Sequence, residues 1–300
     1  MTGKAPRSHG LRNIEATAGP RVLMDEGGAK SDPVWRAKVL TLFPEMFPGP
    51  LGHSLTGKAL EKRLWTLETL DIRTFAHDKH RSVDDTPAGG GPGMVLRPEI
   101  VDRAVAASLH GVPEDRAEWP VLYLSARGRP LTQARAARLA LGKGVSLLCG
   151  RFEGIDQRVI DAHGIEEINV GDAVYTGGEI PAMALLDSVV RLLPGVLGKI
   201  ESTEDESFSA GLLEHPQYTK PAVWQGRAIP GVLLSGNHAK VDAWRHAQAR
   251  AITEERRPDL WRAFCAPDTG NAELDPIEES EQSDAKHESQ MRPEPKGPIR

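Results

Sequence analysis

Short apolar runs bounded by glycine or proline alternate, along the middle of the chain, with segments whose apolar residues recur at helical spacing. The runs are Ala37 to Phe43, Leu70 to Phe75, Val121 to Leu124, Val145 to Leu148 and Glu167 to Val170, each of strand length. Helical spacing marks Lys58 to Thr69, Pro98 to Leu109, Thr132 to Leu141, Ile155 to Ala162 and Pro181 to Leu193. Strand and helix in turn predict an α/β fold of doubly wound type. Such a fold has a largely parallel sheet covered on both faces and takes its ligands at the carboxyl ends of the strands. After Pro194-Gly195 the pattern breaks into a polar stretch, KIESTEDES, that reads as a linker. From Phe208 to Phe264 the chain is turn-rich and then helical, the helix Ala239 to Glu254 carrying Lys240, Arg245, His246 and Arg250. Both ends lack periodicity. Five parts are therefore expected: a disordered extension over 1–33, a main domain over 34–197, a linker over 198–208, a small helical domain over 209–265 and a disordered acidic tail over 266–300.

Composition adds limits. A chain of 300 residues can bury a full core and divide into two domains, and 39% apolar with 26% charged residues fits a soluble globular protein. No apolar run is long enough to span a bilayer, so no membrane segment is expected. Lys4, Arg7, Arg12 and Arg21 are followed by no apolar stretch of signal-peptide length. Cys149 and Cys265 are the two cysteines, which fits reduced thiols and a cytoplasmic location. A net charge of −5 does not announce a nucleic-acid binder. Nor does it exclude one, since acidic groups gathered in the tail leave the folded part less negative.

Several familiar motifs fail. GHSLTGKA, Gly52 to Ala59, nearly matches a phosphate-binding loop, but Ala59 stands where a hydroxyl would hold Mg²⁺. There is no G-x-G-x-x-G dinucleotide fingerprint. His77 and His80 have no cysteine or carboxylate set to complete a metal site. Cys149, in an apolar run with no adjacent base, reads as an inert buried thiol.

Glycine marks a different kind of site. Three loops follow strand-like runs: Leu124-Ser125-Ala126-Arg127-Gly128, Cys149-Gly150-Arg151-Phe152-Glu153-Gly154, and Val170-Gly171-Asp172-Ala173-Val174-Tyr175-Thr176-Gly177-Gly178-Glu179. One glycine pair is ordinary turn chemistry, but three clusters at neighbouring strand ends make a pocket in which backbone reads the edge of a purine beside Phe152 and Tyr175.

With LTLFPEMF, HDKHRSVDD, GGGPGM, YLSARG, CGRFEGID, VGDAVYTGGE, VRLLPGVLGK, ESFSAGLLEHPQYTKP and LLSGNHAKVDAWR in order from about Trp35 to Phe264, the chain closely resembles the bacterial tRNA (guanine-N1)-methyltransferase family. The resemblance implies a SPOUT-type, trefoil-knotted α/β domain with a small C-terminal helical domain, acting as a homodimer on tRNA with guanine at position 37. The methyl donor it implies is S-adenosylmethionine, with Mg²⁺ left open beside it. Carried over by position, cofactor contacts fall on Ser125, Gly128, Gly150, Phe152, Glu153, Gly154, Val170, Gly171, Asp172, Ala173, Val174, Tyr175, Gly177 and Gly178. Arg191, in VVRLLPG, takes the place of the family's arginine. Methylating N1 requires a base to take its proton and a cation to stabilise charge on O6.

The family's base is an aspartate. Here the register gives Thr203-Glu204-Asp205-Glu206-Ser207-Phe208, so Glu206 occupies that place, with Asp205 as the alternative. Without the resemblance this acidic run would read as a solvated linker and Arg191 as a surface residue. Glutamate at the base position also motivates a second reading, a non-catalytic RNA-binding protein on the same fold. A third is methylation at a different RNA position. Ala126, Phe152, Ala173 and Tyr175 depart from the residues common in the family.

Overall fold

The computed structural model describes residues 35–197, 206–208 and 210–266 of the chain. The proposed extension over 1–33, most of the linker and nearly all of the acidic tail lie outside the described residues. Two compact units part between Tyr218 and Thr219, later than the boundary near 208 suggested by composition.

In the first unit the elements run β1 (Trp35–Thr41), α1 (Ser54–Glu61), β2 (Trp65–Asp71), the two-residue strands β3 (Asp84–Asp85) and β4 (Val95–Leu96), and α2 (Pro98–Ser108). They continue with β5 (Val121–Pro130), α3 (Gln133–Leu141), β6 (Gly144–Leu148), α4 (Gln157–His163), β7 (Glu166–Asn169) and α5 (Glu179–Val190). Five strands form one sheet in the order β2-β1-β6-β5-β7, every neighbouring pair parallel. Burial on both faces explains the near-continuous apolar runs. Trp35, Ala37 and Val39 of β1 pack toward Trp65, Leu122, Leu147 and helices α1, α3 and α5, whereas Leu40, with Leu42 just beyond, packs toward Tyr123, Leu148, α2 and α4. Three tryptophans are fully buried with their N–H groups satisfied: Trp35 donates to the Leu139 carbonyl at 3.0 Å, Trp65 to that of Thr56 at 3.0 Å and Trp119 to Ser146 Oγ at 2.9 Å.

Helix ends follow side-chain chemistry. Thr132 accepts from Arg135 N at 3.1 Å to start α3, Asp156 accepts from Arg158 N at 3.0 Å to start α4, and Gly164 closes α4 at φ 57°. The expected helix over Lys58 to Thr69 is corrected: α1 ends at Glu61, Arg63 turns at φ 58°, and β2 begins at Trp65. Pairing of Trp65 through Asp71 against Trp35 through Thr41 overrides the helical spacing, and Ile72–Phe75, expected as strand, is a 3-10 turn. Gly57 of the near-miss phosphate motif lies inside α1, where a Cβ would come within 2.4 Å of the Gly52 carbonyl. Close packing explains that glycine without a phosphate.

One irregularity positions the site. Along β5, Leu124 and Arg129 both pair with Ile168 of β7, so Ser125 to Gly128 are expelled from the ladder as a bulge. The second unit begins with a hairpin, β8 (Val223–Trp224) and β9 (Arg227–Ala228), turned through Gln225 at φ 50° and Gly226 at φ 77°. Helices α6 (His238–Arg256) and α7 (Pro258–Cys265) follow, α6 being capped by Asn237, which accepts from Lys240 N at 3.1 Å. Among the described residues, no helix is long and apolar enough to cross a membrane.

Candidate active site

Strands β6, β5 and β7 are neighbours in the sheet, so the three loops at their carboxyl ends meet. Between them lies a cleft of about 430 Å³, lined by Ser125–Arg127, Gly150–Ile155, Ile168–Val170 and Ala173–Gly178, with Tyr123, Gln157 and Pro181. Of the residues expected to hold a cofactor, Ser125, Gly150, Phe152, Glu153, Gly154, Val170, Ala173, Val174, Tyr175, Gly177 and Gly178 line it. Gly128, Gly171 and Asp172 do not. Gly128 serves the bulge, where a Cβ would sit 2.4 Å from Ile168 N. Gly171 N donates to Asn169 Oδ1 at 2.9 Å and Asn169 Nδ2 donates to Asp172 Oδ1 at 3.2 Å, which ties the turn after β7.

Backbone forms much of the wall. At Gly150 a Cβ would meet the Tyr123 ring at 2.7 Å, and at Gly154, with φ 119°, the Tyr123 hydroxyl at 2.9 Å. At Gly178 it would meet Cys149 Cα at 2.6 Å. A flat heteroaromatic ring can therefore come against main chain, with the exposed rings of Phe152 and Tyr175 at the edge. Burial raises the pKa of the Tyr123 hydroxyl, which stays a neutral phenol. The GGGPGM segment abuts the second loop: Glu153 N donates to the Met94 carbonyl at 2.9 Å, and Gly93 leaves the space that Glu153 fills.

Sequence reading missed Tyr123, Arg127, Arg151, Gln157 and Asn169. Tyr123 sits inside a strand-like run and gives no separate signal, while Arg127 and Arg151 are within the quoted loops and could have been weighed as loop anchors. Arg127 reaches Glu167 at 3.1 Å and Gln157 at 3.2 Å, bracing the first loop against β7 and α4.

Arg191 and Glu206 are brought together. Arg191 caps the C-terminus of α5, and its Nη1 and Nη2 donate to the two carboxylate oxygens of Glu206 at 2.7 and 2.6 Å. Both side chains are partly exposed, 29% and 31%. Hydrogen bonding from Arg191 lowers the Glu206 pKa and that from Glu206 raises the Arg191 pKa, so the carboxylate stays ionised. Asp205, the alternative base, lies outside the described residues.

Other candidates resolve without chemistry. Burial raises the Cys149 thiol well above its ordinary pKa, with the nearby Glu179 adding to the rise, so no thiolate forms. Asp78 accepts from His80 N at 3.2 Å and Ser82 N at 3.1 Å, which folds the HDKH turn. Among the described residues no group of three or more His, Cys, Asp or Glu side chains is gathered as a metal site.

Comparison with known proteins agrees with the geometry. The family model described as tRNA (Guanine-1)-methyltransferase TrmD matches residues 35–263. A tRNA (guanine-N(1)-)-methyltransferase of Jannaschia sp. (strain CCS1) is 64% identical over 233 residues, 78% of this chain and 94% of the relative. One from Nitrobacter winogradskyi is 65% identical over 229 residues, 76% of this chain and 94% of the relative. Another, from Rhodopseudomonas palustris (strain TIE-1), is 66% identical over 229 residues, 76% and 90% of the two chains. With the match running through both units and the relatives covered over nine-tenths of their length, the chain belongs to the tRNA (Guanine-1)-methyltransferase TrmD family.

Proposed function

We propose that the protein transfers a methyl group from S-adenosylmethionine to N1 of guanine 37 in tRNA, giving N1-methylguanosine and S-adenosylhomocysteine. The observation that carries this reading is the two-point Arg191–Glu206 pair. A carboxylate acceptor beside a guanidinium donor is the complement of guanine's N1–H donor beside its O6 acceptor. Glu206 would take the N1 proton while Arg191 donates to O6, where negative charge gathers as that proton leaves. Held by Arg191 alone, Glu206 is a weakened base. As the guanidinium shifts its hydrogen bonds toward O6, the carboxylate regains basicity at the moment it is needed. Glutamate would perform the aspartate's task with one methylene more.

The cleft suits the donor by its glycine-rich wall, where bare Gly150, Gly154, Gly177 and Gly178 let the loops pack closely on Tyr123, Cys149 and Arg151, and by the rings of Phe152 and Tyr175 that line it. When bound, S-adenosylmethionine supplies an electrophilic methyl group on a sulfonium centre. The residues lining the three loops hold and orient it there, with the chain threaded as the trefoil knot of the SPOUT class.

Exposed Val174, Tyr175 and Ile180 beside the cleft support a homodimer. Exposed Lys79 and Arg81 in the loop Arg73 to Gly93, and Lys240, His246 and Arg250 on α6, support a grip on the anticodon stem whose strength falls with salt. The reading places the enzyme in the cytoplasm, with its substrate. Labelled methyl transfer to unmodified transcripts carrying guanine or adenine at position 37 tests it. Label in N1-methylguanosine from the guanine transcript alone is expected; equal labelling of both, or of neither, overturns it.

A further inference from the structure

Beneath the cleft lies a buried charge that the methyl-transfer chemistry does not use. Glu179, in the first turn of α5, is 1% exposed. Its Oε1 accepts from Thr41 Oγ1 at 2.8 Å, and its Oε2 lies 2.9 Å from Arg151 Nη2, with no hydrogen bond completed at that oxygen. Arg151 spans the gap between loops. Its Nη1 donates to the Thr176 carbonyl at 3.2 Å, and its guanidinium lies over the Phe43 ring at 4.3 Å from the centroid. Gly177 is locked between the two charges: a Cβ there would stand 2.3 Å from Arg151 Nε and 2.6 Å from Glu179 Oε2. Gly178 N donates to the Gly150 carbonyl at 2.9 Å, a second tie between the same loops.

We infer that Arg151 and Glu179 are positioning residues that clamp the third cofactor loop onto the second and so set the shape of the cleft for the methyl donor. The inference rests on the proposed function. Three properties separate the clamp from ordinary core packing. The charges are placed on the two loops that line the cleft, on residues adjoining or close to Gly150 and Gly178. Besides Thr176, their partners are Thr41, at the end of β1, and Phe43 just beyond, both outside the cleft, so the clamp is tied to an inner strand of the sheet. An unpaired buried carboxylate is costly, so the structure retains it only with its cation in place.

Glu179→Gln keeps an acceptor for Thr41 and removes the charge facing Arg151. Arg151→Lys keeps a charge and gives up both the planar contact with Phe43 and the bond geometry at Thr176. Calorimetric titration of the full chain with S-adenosylhomocysteine, without tRNA, is the test, alongside circular dichroism and thermal melting. Folded Glu179→Gln is expected to bind at least about tenfold more weakly. The Michaelis constant for S-adenosylmethionine should rise in step, while kcat at saturating donor and the constant for tRNA stay within about twofold, a split that a loss of folded enzyme does not produce. Unchanged affinity in the folded variant overturns the clamp. Should Glu179→Gln fail to fold, Arg151→Lys is read by the same titration, and unchanged affinity there overturns it equally. Wild-type protein that binds no S-adenosylhomocysteine overturns the parent reading, and that result is told apart by being seen before any substitution.

Discussion

Around the cleft the wall is main chain, and at Gly150, Gly154, Gly177 and Gly178 an added Cβ would come within 2.9 Å of a neighbour or closer. The proposed catalytic pair stands instead on two side chains, Arg191 and Glu206, 29% and 31% exposed. At Gly178 the neighbour is the Cys149 Cα, which cannot step aside, and at Gly150 and Gly154 it is the largely buried side chain of Tyr123. Two flexible side chains meeting at their charged ends can absorb a methylene, which a glutamate acting as the proposed base would require. Holding the donor is thus a matter of space, and removing the proton is a matter of charge placed in reach.

Four experiments would break or sharpen that contrast. Glu206→Gln is expected to lose roughly 10²–10⁴-fold in the single-turnover rate while tRNA affinity stays within about twofold. Full activity there, with Asp205→Asn inactive, moves the base to Asp205. Arg191→Lys keeps the charge but loses the two-point geometry, and about 10–100-fold in kcat should follow, measured at saturating cofactor and tRNA. Gly178→Ala is expected to weaken cofactor binding by about tenfold or more by titration, because its Cβ meets backbone. Gly171→Ala is the control, since its Cβ meets nothing within 4 Å, and its affinity should stay within about twofold.

The smallest effect is in pH. Arg191 lowers the Glu206 pKa, so the acid limb of kcat/KM should lie below the usual value of about 4.3. Activity is then kept as pH falls through the ordinary glutamate range and lost only below it; the pair's contribution to stability follows the same sign, being lost as pH falls through the lowered pKa. Arg191→Lys should move the limb upward.

Much of this was legible in the residues. Strands at β1, β5, β6 and β7 and the capped helices α3 and α4 stand close to where period, glycine and Asp or Thr put them, because local signals and packing agree there. The α/β reading holds, and it is of the SPOUT class to which the family belongs. Around Trp65 the signals conflict: the helical spacing continues, but pairing with Trp35 is a distant contact that no local window contains. Sheet order was hidden for the same reason, as was the bulge over Ser125 to Gly128. The glycine loops announced the cleft, yet Tyr123, the reason two of those glycines must be bare, looks like any strand residue. Likewise nothing in the acidic run beside Ser207 shows that Glu206 would meet Arg191 across the end of α5.

Helix α5 begins at the cofactor loops, with Gly178 as its N-cap and Glu179 in its first turn, and ends at Arg191 as its C-cap. Its 12 residues make it a gauge about 18 Å long, fastened at one end to the holding half of the site and bearing the guanidinium at the other. A single inserted residue would swing Arg191 about 100° around the axis and push it about 1.5 Å outward. In the proposed site, reach between donor and base is thereby fixed in whole residues, so this helix can change its surface freely but not its count.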